Sequence, residues 1–283
     1  MRVQQLESTD AFVLYDLEGA ERAAGVARLA PKVLRDSAEL LARTVTYSFA
    51  AFGLKMTGAS AGINAKPDQR DAAIAGFLEA VKPLVADGLS LHASTGLSDT
   101  DLAPLGTEPP DPALTVHGAL AAAGAAAGTL VGKTVAVVGS GPMADNAKLS
   151  AADRGATVDD SGDLDVTADV LMVAGKTGVI DHGAAESIKA KVIVPLTPLP
   201  VTAKAYAALR RAEIVYVPDF IALAAPLLDQ FDPSEESTPA ERVRAATHEL
   251  VGDGPDAWLT AIAKAETFLS TWQDELPFGR PLA

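Results

Sequence analysis

Four short runs of aliphatic, largely β-branched residues punctuate the second half of the chain: 134–138 (TVAVV), 170–173, 192–195 and 214–217. They are continuous rather than alternating, the pattern of strands buried on both faces. Segments with helical spacing, 183–190 and 202–212, lie between the later pairs. Strands alternating with helices predict a parallel, doubly wound sheet. The first half reads differently. Residues 11–15 (AFVLY) and 89–91 predict short strands. In 37–50, Leu40, Leu41, Val45 and Phe49 recur at helical spacing, which puts Ser48 near the helix end. In 68–86, Ala72, Ile74, Phe77, Leu78, Val81 and Leu84 lie along one side of an amphipathic helix, with Asp68 placed to cap it. A proline-rich stretch, 101–112, reads as the connection between two halves. An alanine-rich helix at 113–127 follows, with Gly128 placed to end it. Beyond Pro218 and Asp219 the chain turns helical, at 241–250 and 255–272, and closes on a proline-containing tail, 276–283.

The run at 134–138 leads directly into Gly139-Ser140-Gly141-Pro142-Met143-Ala144. This fits G-x-G-x-x-[G/A], strand before and helix after. The first glycine allows the tight turn, the second lets a pyrophosphate approach the backbone, and the small third residue lets helix pack on strand. The helix N-terminus then offers free N–H groups to phosphate, and Pro142 suits a first helical position. A glycine turn that binds nothing is the alternative reading. A dinucleotide fold should close its second strand on an acidic residue about 20 residues later; Asp159, Asp160 and Asp163 stand there. Only about ten residues then remain before the strand at 170, whereas a right-handed crossover needs a dozen or more. A helix and a strand are therefore expected to be missing from the adenosine end.

Composition narrows the partners. The 283 residues carry a formal net charge of −14, spread along the chain. Such a chain repels nucleic acid and anionic membranes. Cysteine is absent, which removes disulfides, cysteine metal sites and thiolate catalysis. The apolar runs are too short to span a bilayer and residues 1–13 lack the layout of a signal peptide, so a cytoplasmic protein is expected. His117, His182 and His248 have no mutual spacing that suggests a metal site, and none is expected.

The stretch Thr46-Tyr-Ser-Phe-Ala-Ala-Phe-Gly-Leu-Lys-Met-Thr-Gly-Ala-Ser-Ala-Gly-Ile63 resembles the signature of the Glu/Leu/Phe/Val amino-acid dehydrogenases, roughly T-[YW]-K-x-A-x-x-x-x-P-x-G-G-[AG]-K-G-G-I. Thr46, Ala50, Gly58, Ala59, Gly62 and Ile63 fall in frame. Other segments follow in the family's order. Gly25-Val-Ala-Arg28 with Pro31 resembles G-G-x-R…P. Thr115-Val-His-Gly118 resembles a T-x-x-G whose Thr sits near the nicotinamide. Residues 168–180, with Lys176 in the loop beside the nicotinamide ribose, 188–193, and VYVPDF at 215–220 resemble family motifs as well.

The departures are equally consistent. Ser48 and Ser60 stand where the family has its two lysines, one for the substrate carboxylate and one for the chemistry. Counting back from Asp101-Leu102 puts Ser94 at the family's acid/base aspartate. The Asn-containing segment after Pro-Asp has become Leu223-Ala-Ala-Pro226. Oxidative deamination needs a lysine of lowered pKa and a carboxylate that shuttles protons. A serine without a base beside it does neither, at a cost of several powers of ten in rate. Lys55, five positions before Ser60, and His92, two before Ser94, are the substitutes within sequence reach. Exposed lysines are usually solvated and a lone strand-end histidine usually structural, so both are weighed against that reading.

The resemblance implies an α/β fold of two domains: 1–113, a substrate-type domain; 114–255, a Rossmann-like parallel-sheet domain with a shortened adenosine-binding region; and 256–283, a C-terminal helix and tail returning to the first. It implies a cleft between them that takes a small-molecule ligand, NAD or NADP as cofactor, and a homo-oligomer. Three functional readings stay open. One is a divergent NAD(P)-binding oxidoreductase with an altered substrate and no standard oxidative deamination. Another is a pseudoenzyme acting as a structural or ligand-sensing subunit. The third is a non-redox biosynthetic enzyme using the serine-lined cleft.

Overall fold

The structure, a computed structural model, describes residues 1–7 and 9–283. The chain divides into two compact units, Met1–Pro110 with Phe268–Pro281, and Asp111–Thr267 with Leu282–Ala283.

In the first unit, β1 (Arg2–Leu6), β2 (Ala11–Tyr15), β3 (Ala23–Ala30), β4 (Thr57–Asn64) and β5 (Leu89–Ala93) form one sheet in the order β1-β2-β4-β3-β5. β2 is antiparallel to β1 and β4; β3 runs parallel to β4 and β5. Helices α1 (Arg35–Ala51), α2 (Arg70–Ala86) and α3 (Asp99–Leu102) complete it. Side chains alternate across a strand, and β4 uses the alternation strictly. Ala59, Ala61 and Ile63 join Ile74, Phe77 and Val81 of α2 in one core. Gly58, Ser60 and Gly62 face the other way. A Cβ on Gly58 would stand 1.8 Å from the Ala42 carbonyl oxygen, so glycine is what lets α1 lie directly on β4. Thr46 locks the contact: its hydroxyl accepts the Gly58 N–H at 2.9 Å and donates to the Ala42 carbonyl at 3.2 Å.

The expected strand at 11–15 is β2, and the expected helices correspond to α1 and α2. Asp68 does not cap α2. It lies in a short 3₁₀ turn, Pro67–Gln69, and no side chain caps the helix that begins at Arg70. Strands β1, β3 and β4 carry no strong sequence signal, because alanine, glycine and polar residues fill them.

In the second unit, β6 (Thr134–Val138), β7 (Thr157–Asp159), β8 (Val170–Val173), β9 (Val192–Pro195) and β10 (Val215–Tyr216) form an all-parallel sheet, order β10-β9-β8-β6-β7. The helices are α4 (Pro112–Ala126), α5 (Pro142–Asp153), α6 (His182–Ser187), α7 (Ala203–Arg211), α8 (Asp219–Ala222), α9 (Ala225–Phe231), α10 (Pro239–Val251) and α11 (Ala257–Leu269). Gly128, at φ +77°, follows the end of α4 as expected. This is the doubly wound order 3-2-1-4-5-6 with its third position missing. The sheet ends at β7, and residues 160–169 reach β8 with neither helix nor strand. The fold class is α/β with a Rossmann-like parallel sheet shortened at the adenosine side.

Candidate functional site

In open α/β sheets, ligands bind beyond the carboxyl ends of the strands, where the winding reverses. Here the chain leaves β6 toward β7 and returns on the other side of β6 as β8, so the reversal lies between β6 and β8. Gly139, at φ +119°, makes the turn after β6. A Cβ there would meet the Ala174 carbonyl oxygen at 2.1 Å, so the turn is pressed against the end of β8. Gly141 differs: φ is +90° and a Cβ would meet nothing within 4 Å. Its outer side is open, which is what a close-approaching phosphate requires. Pro142 opens α5, no side chain caps that helix, and Ala144 is fully buried. Ser140 and Pro142 are exposed and Met143 half-buried at the rim.

The loops after β8 and β9 are fastened together. Thr197 Oγ1 accepts from Gly175 N at 3.0 Å and donates to Gly175 O at 2.9 Å. Gly178 N donates to Leu199 O and Ile180 N to Pro200 O, each at 2.8 Å. Lys176 stands exposed on this ledge. Leu199 holds a left-handed φ of +55°, and its N–H donates to the fully buried Asp219 at 2.7 Å. Burial pushes the Asp219 carboxyl up to about 6, opposed by backbone hydrogen bonds.

At the other edge, β7 ends at Asp159, followed by exposed Asp160. Asp159 accepts the Ser161 N–H at 3.0 Å, and hydrogen bonding from Ser161 lowers its pKa. Thr115 is half-buried in the first turns of α4, a helix capped by Asp111 accepting from Ala113 N at 2.8 Å.

The remaining nominated residues belong to the first unit. Ser48 is buried in α1, and its hydroxyl donates to the Thr44 carbonyl at 3.2 Å. Ser60 is fully buried in β4 and its Oγ has no hydrogen-bond partner, while Lys55 is exposed in the preceding loop. Strand register sets Ser60 against Val26 and Val26 against His92, one row across the sheet. Ser94 follows β5 directly, and its N–H donates to Ala27 O at 3.0 Å.

One buried cation, Arg43, was not singled out by the sequence. Arg43 pairs with Asp16 at 2.6 Å, both almost fully buried, and donates to the carbonyls of Phe278 and Gly279. Arg28, the last residue of the Gly25-Val-Ala-Arg28 motif, lies partly buried in β3.

No protein-family model and no curated relative matches the chain. Solved structures do resemble it. An L-tryptophan dehydrogenase from Nostoc punctiforme superimposes with a TM-score of 0.75 at 18% identity, over 95% of this chain and 96% of that one. A hetero-hexameric glutamate dehydrogenase from Thermus thermophilus gives 0.74 at 18% identity, over 94% and 86%. A glutamate dehydrogenase from Peptoniphilus asaccharolyticus gives 0.66 at 14%, over 92% and 86%. At such identities the likeness carries the fold: this chain has the fold of the amino-acid dehydrogenases over nearly its whole length.

Proposed function

We propose that the chain is an NAD(P)-binding, oxidoreductase-type protein of amino-acid-dehydrogenase fold that has given up oxidative deamination. The observation that carries the first half is Gly141. It is the start of α5 at the winding reversal, in a backbone conformation natural only to glycine, with open space where a side chain would be. Gly139, Gly141 and Ala144 each meet the physical demand of a dinucleotide loop, so the residues fit the cofactor. Bound there, a nicotinamide nucleotide would supply hydride transfer. Gly139 to Ala144 would hold the pyrophosphate, Asp160 the ribose hydroxyls, and Lys176 and Thr115 the nicotinamide end. With no third strand beside β7, adenosine would lie against an open edge, which favours weak binding.

The second half rests on Ser48, Ser60 and Ser94. Ser48 spends its hydroxyl on its own helix and Ser60 has no base beside it. Neither can polarise an imine or activate water.

Calorimetric titration with NAD⁺, NADH, NADP⁺ and NADPH tests the proposal. Saturable binding of at least one is expected, with no reduction of the oxidised forms by glutamate, leucine, phenylalanine or valine. Silence with all four nucleotides would favour a ligand-sensing or structural role instead, the reading that the missing third strand supports.

A further inference from the structure

The glycine loop after β6 has a neighbour on each side, and the two are built unequally. On the β8–β9 side, residues 175–180 and 197–202 are tied into one ledge. Thr197 Oγ1 holds both the N–H and the carbonyl of Gly175, at 3.0 and 2.9 Å. Gly178 N donates to Leu199 O at 2.8 Å and Thr202 N to Ile180 O at 3.1 Å, and Ile180 forms a parallel bridge with Val201. Leu199, buried at φ +55°, carries backbone strain. Such strain persists only where the surroundings over-determine it, here through the Leu199 N–H donated to Asp219 Oδ2 at 2.7 Å.

Nothing comparable stands on the β7 side. β7 has three residues and is the last strand of its sheet. Residues 160–169 form neither helix nor strand. Asp160 and Asp163 are exposed there, and exposed Asp165 has Lys189 as counter-charge 3.9 Å away. These carboxylates can meet ribose hydroxyls, but they offer an adenine ring no apolar wall, which a ligand site for such a ring requires.

A dinucleotide gains affinity by joining two half-ligands: with one half seated, the other is held at high effective concentration. The gain exists only where both half-sites do. Resting on the nucleotide reading above, we infer that the second unit is a mononucleotide site: it takes the nicotinamide half of the dinucleotide, a ribosyl-linked ring with a single 5′-phosphate, and draws little affinity from the adenosine half. The phosphate belongs over Gly141 at the start of α5, where a Cβ would meet nothing within 4 Å. The ribose and ring belong toward the ledge, where Lys176 is exposed.

Calorimetric titration of the wild-type chain with NAD⁺, nicotinamide mononucleotide and AMP tests this. Nicotinamide mononucleotide is expected to bind within about ten-fold of NAD⁺, and AMP no tighter than the mononucleotide. In a site with both halves built, the linkage makes the dinucleotide far tighter than either part. Nicotinamide mononucleotide more than about ten-fold weaker than NAD⁺, or AMP the tighter of the two halves, overturns the inference and leaves the nucleotide reading standing. Silence with all three, and with NADH, NADP⁺ and NADPH, ends the nucleotide reading itself and this inference with it. Thr197→Val removes both bonds to Gly175 at nearly unchanged side-chain volume. It should weaken nicotinamide mononucleotide and NAD⁺ by the same factor, roughly three- to ten-fold. Unchanged affinity for the mononucleotide in a folded Thr197→Val protein takes the ledge out of the site and also overturns the inference.

Discussion

The carboxylate of Asp219 and the backbone of Leu199 hold each other in states neither would choose alone. Asp219 is fully buried and its carboxyl is pushed up to about 6; Leu199 sits at φ +55° with its N–H donated to Asp219 Oδ2 at 2.7 Å. Together they fasten the loop after β9 to the start of α8, which follows β10. Between about pH 4 and 6 the native protein binds a proton here that the unfolded chain does not. This contribution to stability is therefore present at low pH and lost as pH rises through about 6. The gap from 3.8 to about 6 sets an upper bound of roughly 3 kcal/mol. Asp219→Asn keeps an oxygen to accept the Leu199 N–H and cannot ionise. It should be more stable than wild type at pH 8, and the difference should shrink toward pH 4. Urea unfolding across that range measures it; a constant difference would mean that Asp219 is not the titrating group.

A second relationship anchors the C-terminal tail. The Asp16–Arg43 pair is buried, and burial pushes Asp16 up even against Arg43. Removing one partner leaves the other charge stranded, at a cost of about 3–5 kcal/mol. Arg43→Met should show this loss in chemical unfolding, and Asp16→Asn on top of it should restore part. Arg43→Met also frees the Phe278 and Gly279 carbonyls, so limited proteolysis should cut near Phe278, which is already 94% exposed, faster than in wild type.

The parallel sheet was legible because β6, β8 and β9 are short, uninterrupted aliphatic runs alternating with helical segments, the pattern of strands buried on both faces. The gap after Asp160 was legible by counting, since ten residues cannot make a helical crossover. The first unit was harder. β4 reads TGASAGIN, where two glycines and three small side chains hide a strand. They are small because α1 lies on one face and the α2 core on the other, a tertiary demand that local propensity does not reveal. Arg43 was missed for a related reason: what marks a buried cation is its partners, and these come from distant parts of the chain.

The two glycines of the nucleotide loop should separate by variant. Gly139→Ala places a methyl about 2.1 Å from the Ala174 carbonyl and should disrupt the β6–β8 junction, lowering Tm sharply. Gly141→Ala meets nothing within 4 Å and pays only for its backbone conformation, about 1–3 kcal/mol. It should fold, yet bind nicotinamide nucleotide at least roughly ten-fold more weakly if phosphate approaches that backbone. Calorimetry on the folded Gly141→Ala protein reads this directly; undiminished binding would move the nucleotide elsewhere.

Ser60 offers the sharpest test of what the lost lysine position has become. Its hydroxyl is fully buried on the α1 side of β4 and makes no hydrogen bond. An unsatisfied buried hydroxyl costs about 1–3 kcal/mol, so Ser60→Ala should be neutral or stabilising by roughly 1 kcal/mol. Ser48→Ala removes only a bond back to the Thr44 carbonyl of its own helix and should fall within about 0.5 kcal/mol of wild type. Ser60→Ala should therefore melt no lower than wild type in thermal unfolding. If Ser60→Ala instead melts lower by several degrees, the hydroxyl is structural.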